Sequence, residues 1–209
     1  MRTRIVLVHG AATTSRVWRA VVPLLDGFDV CCPDRESTGD LNAEVAALAP
    51  LCKGAVVAGV SGGATLGLAL AASGTSLAAA VLHEPAVGSL LPGLLDDVVA
   101  AYRDGGVPAF AATLYGPAWT PAEAPPDQGA VGRDLGMFRA FEPAPPAAGE
   151  GPVLLTVGER SPRVRHESVR RLAAVLALRE AVVPGAAHAV HLENPAAFAA
   201  LIRAAAAAR

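Results

Sequence analysis

Charge, aromatic rings and lysine are all scarce in this chain. Of its 209 residues, 17% are charged and 4% are Phe, Trp or Tyr, and the 17 basic residues are all arginine except Lys53. A formal net charge of -2 leaves no basic surplus to neutralise a phosphate backbone, so nucleic acid is not an expected partner. Cysteine is also sparse. Cys31 and Cys32 are adjacent and Cys52 stands alone, which is neither a metal-ligand spacing nor an even disulfide set. Buried thiols are expected, with no metal. Long hydrophobic runs are missing as well: Gly, Pro or a charge breaks each one well short of the roughly 18 residues of a spanning helix. No membrane association is expected. The opening MRTRIVLVHG has an apolar stretch shorter than the core of about 7–15 residues in a signal peptide, which points to a cytoplasmic protein. What the chain does have is 53% hydrophobic residues, too many for a disordered one.

Those residues fall into short runs separated by helical patterns, as in a parallel sheet wound from strand-helix units. Six runs read as strands: Ile5 to His9, Phe28 to Cys32, Ala55 to Val60, Ala79 to His83, Val153 to Val157 and Glu180 to Val183. Helices are expected over Ser15 to Leu25, Leu41 to Leu51 and Gly62 to Ala72. Right-handed crossovers then place helices on both faces of the sheet. The rhythm breaks after Pro85. Residues 86–150 read as an insertion on a core made of 1–85 and 151–209. Helices are expected from Leu90 to Tyr102 and from Ala109 to Leu114, with loose Pro-rich pieces at 117–127 and 142–152. Its aromatics need a surface to cover, which suggests a lid.

The most informative piece is Gly59-Val60-Ser61-Gly62-Gly63 between a buried strand and a long helix. This is G-x-S-x-G in the strand-turn-helix setting that makes it a nucleophile elbow. Small neighbours let the serine sit on a sharp turn, and the helix N-terminus beneath it offers free N–H groups to a developing oxyanion. A second piece is the strand Ile5 to Val8 running into His9-Gly10-Ala11, and a third is Gly185-Ala186-Ala187-His188, followed by Glu193-Asn194-Pro195.

Together with Trp18 and Pro33-Asp34, the order of these pieces resembles the α/β-hydrolase fold. The resemblance implies a six-stranded, mostly parallel sheet that opens on the third strand of the full fold. It also implies an oxyanion hole made by the backbone N–H groups of Ala11 and Gly62, and His188 as the general base. An imidazole suits a base that must take and return a proton. His191 is the competing imidazole, and His9 reads as a packed residue at a strand end. The acid departs from the family pattern. Where relatives carry Asp after the seventh strand, Gly158-Glu159-Arg160-Ser161-Pro162 holds Ser161. Glu84, ending the strand after the nucleophile helix, is the first candidate to replace it. Glu159 and Asp34 follow, and Asp96 and Asp97 belong to an exposed helix face.

The expected activity is a serine esterase or lactonase acting, without a cofactor, on a small apolar or aromatic ester, lactone or thioester. The expected substrate-facing aromatics are Trp18, Tyr102, Trp119, Phe138 and Phe141. The alternatives are a lyase or cyclase on the same scaffold, or an inactive relative. A monomer or homodimer is expected.

Overall fold

A computed structural model describes residues 2–208. Six parallel strands form one sheet in the order β2-β1-β3-β4-β5-β6. They are β1 (Arg4–Val8), β2 (Asp29–Cys31), β3 (Val56–Val60), β4 (Ala79–His83), β5 (Val153–Gly158) and β6 (Arg179–Val183). The sheet is parallel throughout, so each crossover returns over a face and both faces are covered. Successive residues of a strand point to opposite faces, and the core divides accordingly. Val6, Val8, Val57, Leu82 and Leu155 pack on one side. Ile5, Leu7, Val56, Ala58 and Val81 pack on the other.

The first side carries α1 (Leu41–Cys52), α2 (Gly62–Ala72) and α5 (Arg163–Leu176). Asp40 caps α1, its carboxylate accepting from the N–H groups of Asn42 at 2.8 Å and Ala43 at 3.2 Å, as an N-cap should. The α2 helix is apolar all round and almost wholly buried. The second side is covered by the short α6 (Val190–Glu193) and by α7 (Pro195–Ala207), which Asn194 caps through Ala197 N–H at 3.1 Å. It is also covered by two 3₁₀ turns, Ser15–Ala20 and Val22–Leu25. A single helix over Ser15 to Leu25 is not formed. Pro23 has no N–H for a continuous ladder, and the chain restarts at Val22 with the proline in its first turn.

Between β4 and β5 lie α3 (Asp96–Tyr115) and α4 (Ala130–Arg139). The α3 helix begins six residues later than the amphipathic pattern suggests, after a 3₁₀ turn at Gly88–Leu90. Gly106 (φ 64°, ψ -152°), beside Pro108, which lacks a ladder donor, divides it into two helical pieces, the second ending at Tyr115 and containing the expected Ala109 to Leu114 helix. The α4 helix has no counterpart in the sequence reading, because Gly132 and Gly136 weaken its helical propensity. Hydrogen bonds tie the segment to the core at several points. Glu150 takes the N–H groups of Ser76 and Leu77 at 2.6 Å each, and Arg133 Nε donates to Ser37 O at 2.7 Å.

Among the described residues no helix is long and apolar enough to cross a membrane.

Candidate active site

Strand order reverses between β1 and β3, since β2 lies beyond β1 and all later strands follow β3. In open α/β sheets such a point opens a crevice at the strand C-termini. His9-Gly10-Ala11 leaves β1 there, and Ser61 leaves β3. Ser61 has φ 57° and ψ -121°, a strained conformation for a residue with a side chain. The turn is tight enough that a Cβ on Gly63 would lie 1.9 Å from Val8 O, and one on Gly59 would lie 2.4 Å from Gly63 C. Only glycine fits at either place. The serine is thereby held up at the start of α2, where the first N–H groups have no partner within the helix.

His188 lies on the loop after β6. Its Nδ1 is 2.7 Å from Glu84 Oε2, and its buried Nε2 has no hydrogen-bond partner among the described residues. A carboxylate can only accept, so Nδ1 carries the proton and Nε2 presents a lone pair. Glu84 itself has φ 49°. Its Oε1 accepts from Gly158 N–H at 3.1 Å and from the hydroxyl of Ser161. Ser161, at the position where the α/β-hydrolase resemblance leads one to expect Asp, thus serves the carboxylate that reaches His188 from β4. Burial works to raise the Glu84 pKa, but the His188 hydrogen bond and the charges of His83 and Arg165 outweigh it and hold the carboxyl well below its usual range. Burial pushes His188 below the usual imidazole value. The Glu84 bond opposes that shift and Arg165 adds to it.

The other candidate carboxylates lie elsewhere. Glu159 accepts from Gly185 N–H at 2.8 Å, and Asp34 from Ser15 N–H at 2.6 Å. Asp96 and Asp97 open α3. His191 is buried beside Trp18 and Tyr115, with its pKa pushed down to about 3 by burial and neighbouring cations. His83 bridges Thr156 Oγ1 at 3.0 Å and Ala187 O at 3.1 Å, which steadies the histidine loop.

The His9 to Ala12 loop is held by its carbonyls. Gly10 O accepts from Thr13 Oγ1 at 2.9 Å and Arg35 Nη2 at 3.2 Å, and lies 2.9 Å from His9 Nδ1. Arg35 N–H donates to His9 Nε2 at 3.2 Å, which leaves Nδ1 as the protonated nitrogen. Burial drives the pKa of His9 down to about 3. The segment between β4 and β5 supplies two more donors: Tyr115 Oη to Ala11 O and Trp119 Nε1 to Ala12 O, both at 2.8 Å. In a trans peptide the N–H points opposite to the C=O. Anchoring Gly10 O therefore fixes the direction of Ala11 N–H.

Behind this loop lies a buried ion network. Arg35 reaches Asp134 on α4 at 2.6 Å and Glu44 on α1 at 3.4 Å. Burial alone would lower the Arg35 pKa, and the two carboxylates raise it.

A narrow cavity of about 30 Å³ adjoins the serine, bounded by Ala11, Ser61, Gly62 and Arg165 and walled by apolar residues that include Phe110, Leu135 and Phe138. One water needs roughly 10–15 Å³, so the space holds about two or three. Of the expected aromatics, Phe138 borders this cavity. Tyr102 and Trp119 border a separate groove, Phe141 is buried in the core, and Trp18 is wholly buried against His191 and Phe198. The structure does not bring Trp18 to the cavity, because the 3₁₀ turn that carries it covers the sheet face opposite α2. Arg35, Asp134, Arg165, Phe110 and Tyr115 join the site without belonging to any of the motifs above. Buried positions on α5 include 165, 168, 169, 172, 173 and 176, so helical spacing puts Arg165 on the apolar face, a signal legible in advance. Among the described residues no group of His, Cys, Asp and Glu is placed to hold a metal ion.

Comparison with known proteins agrees with this fold. The model of the alpha/beta hydrolase family matches residues 5–201, while no curated protein matches the chain in sequence. An enol-lactonase from Burkholderia xenovorans LB400 superposes with a TM-score of 0.77 at 21% identity, covering 98% of this chain and 91% of that one. A lipase-esterase related protein from Clostridium acetobutylicum ATCC 824 gives 0.77 at 14%, covering 97% and 93%. The carboxylesterase CesB (YbfK) from Bacillus subtilis gives 0.68 at 17%, covering 97% and 83%. At these identities the likeness is one of fold.

Proposed function

The chain belongs to the alpha/beta hydrolase family, and from that premise we propose that it is a serine hydrolase of a small ester, lactone or thioester, with Ser61, His188 and Glu84 as its triad. The observation that carries this reading is the 2.7 Å contact between Glu84 Oε2 and His188 Nδ1, which leaves Nε2 as the free base. In the first step His188 Nε2 takes the proton of Ser61 as Oγ attacks the substrate carbonyl. The imidazolium so formed is steadied by Glu84, and the oxyanion is received by the N–H groups of Ala11 and Gly62. Collapse of the tetrahedral intermediate expels the alcohol or thiol, which leaves with the proton from His188. Water, deprotonated by the same nitrogen, then releases the acid and restores Ser61.

Residues 86–150 act as a lid in this reading. Phe138 and Phe110 wall the acyl side of the cavity, and the small space beside Ser61 implies that α3 and α4 part to admit substrate.

A fluorophosphonate probe tests the proposal. Covalent labelling at Ser61, abolished in Ser61→Ala, together with turnover of p-nitrophenyl acetate, is the expected result. A folded protein that does not label sinks it. Labelling without hydrolysis of any ester or lactone would favour the lyase or cyclase alternative.

A further inference from the structure

Arg165 sits in the first turn of α5 with its side chain 9% exposed. Among the described residues its guanidinium makes no hydrogen bond; its nearest ionic neighbour is Glu84 Oε2, 3.9 Å from Nε. Glu84 has little left to offer, since Oε1 is taken by Gly158 and Ser161 and Oε2 by His188. Beyond that one long ion pair, a guanidinium so little exposed keeps donors to spare for acceptors in the cavity it borders. By contrast, Arg35 in the same protein is held by both Asp134 and Glu44. Arg165 borders the cavity that contains Ser61, Ala11 and Gly62; Glu84 and Thr65 line it too, and its remaining wall, including Leu95, Phe110, Leu135 and Phe138, is apolar.

We propose that Arg165 is a substrate-binding residue that receives a carboxylate on the acyl portion of the substrate, so that the enzyme prefers half-esters, or equivalent lactones, of short dicarboxylic acids. This deepens the serine-hydrolase reading and rests on it. The planar fork of arginine matches a carboxylate with two parallel N–H bonds. A monoanion fits better than a phosphate dianion, because Glu84 places a negative charge beside the same guanidinium and the cavity is small. The apolar wall suits the methylene chain between the carboxylate and the scissile carbonyl. Such a substrate would also offset the Arg165 charge, which adds to burial in lowering the pKa of His188, and so favour the imidazolium formed in the reaction.

The test compares mono-p-nitrophenyl succinate, glutarate and adipate with neutral p-nitrophenyl esters of matching chain length. At least one half-ester should exceed its neutral counterpart in kcat/KM by about 10-fold or more, the scale of one charge-assisted pair. Arg165→Gln should lower that half-ester's kcat/KM by about 100-fold, mainly through KM, and the neutral ester's by far less. Arg165→Lys, which keeps a point charge without the fork, should retain part of the preference and guards against a Gln variant that does not fold. Half-esters that never outperform neutral esters overturn the proposal. So does an equal loss on both substrates, which would leave Arg165 as a support for Glu84. A second arm does not depend on turnover: calorimetry of Ser61→Ala with monomethyl glutarate should show binding, absent with dimethyl glutarate and lost when Arg165→Gln is added. No binding alongside normal fluorophosphonate labelling of the wild type rejects the carboxylate site alone. Binding without labelling rejects the serine-hydrolase reading alone.

Discussion

Glu84 Oε2 lies 2.7 Å from His188 Nδ1, between residues 104 apart in the chain. Glu84 leaves β4 and His188 follows β6, with β5 lying between these strands. The carboxylate spans that gap by passing the end of β5, where Gly158 N–H and the Ser161 hydroxyl hold its other oxygen.

Glu84→Gln should lower kcat by about 10⁴-fold with the fold intact, as when the wrong tautomer is presented to a serine nucleophile. Glu159→Gln, which loses only a bond to Gly185 N–H, should cost less than about 3-fold. In Glu84→Ala, the added change Ser161→Asp should recover part of the activity, because position 161 already faces the place where the carboxylate oxygen sits. Steady-state kinetics on one activated ester decide it, and a mild Glu84→Gln would remove Glu84 from the triad.

Ser61→Ala and His188→Ala should each abolish turnover to a similar extent, with the double variant little worse than either. Independent, multiplicative losses would show that the two do not act as one unit. His191→Ala should keep most of the activity, since the buried His191 ring touches Trp18 and Tyr115.

Asp134→Asn removes the closest charge partner of Arg35. Breaking a buried pair costs about 3–5 kcal/mol, and denaturant midpoints should show a loss of that order. Because Arg35 also holds Gly10 O, and with it the direction of Ala11 N–H, kcat should fall more than KM rises. A variant that is destabilised but keeps its full kcat would separate the network from the oxyanion loop.

The pH profile of kcat/KM should show an acid limb below the usual imidazole range. Burial lowers the pKa of His188, Arg165 adds to this, and Glu84 and Glu193 oppose it. His83, His191 and the Tyr115 ring also face this imidazole. The base must be unprotonated, so activity falls as pH drops through its folded value. Arg165→Gln, which removes a cation, should move the limb to higher pH, and a limb that stays in place would argue against contact between the two charges.

Acid should also weaken the fold. Burial lowers His9 and His191 to about 3 and His83 to about 4, below the ordinary value of 6.5. The unfolded chain therefore binds protons first, and stability present above about pH 6.5 is lost progressively as pH falls toward the folded values. Each group contributes about 2 kcal/mol of loss by about pH 5. Urea midpoints at pH 7.5, 6 and 5 measure it, and a flat series would contradict these buried neutral rings.

The sequence by itself determined the six strands, their parallel winding and the elbow at Ser61. These depend on short-range rules: apolar runs of strand length, and glycines at Gly59 and Gly63 where no Cβ fits. It also placed α2 over Gly62–Ala72, because an apolar helix bounded by a Gly-rich turn leaves little choice. It ranked Glu84 first among the carboxylates that could serve the histidine, ahead of Glu159 and Asp34, on strand order alone. Only the tertiary structure decided that Glu84 and not Glu159 faces His188, since that depends on how β4, β5 and β6 align and on which way each side chain leaves its strand end. The same holds for the pairing of Arg35 with Asp134, 99 residues apart, and for the retreat of Trp18 into the opposite layer. A charged residue on an apolar helix face, such as Arg165, is visible as an irregularity in the sequence. Whether it meets a partner is set by elements that pack against it from elsewhere in the chain, and local preference carries no information about them.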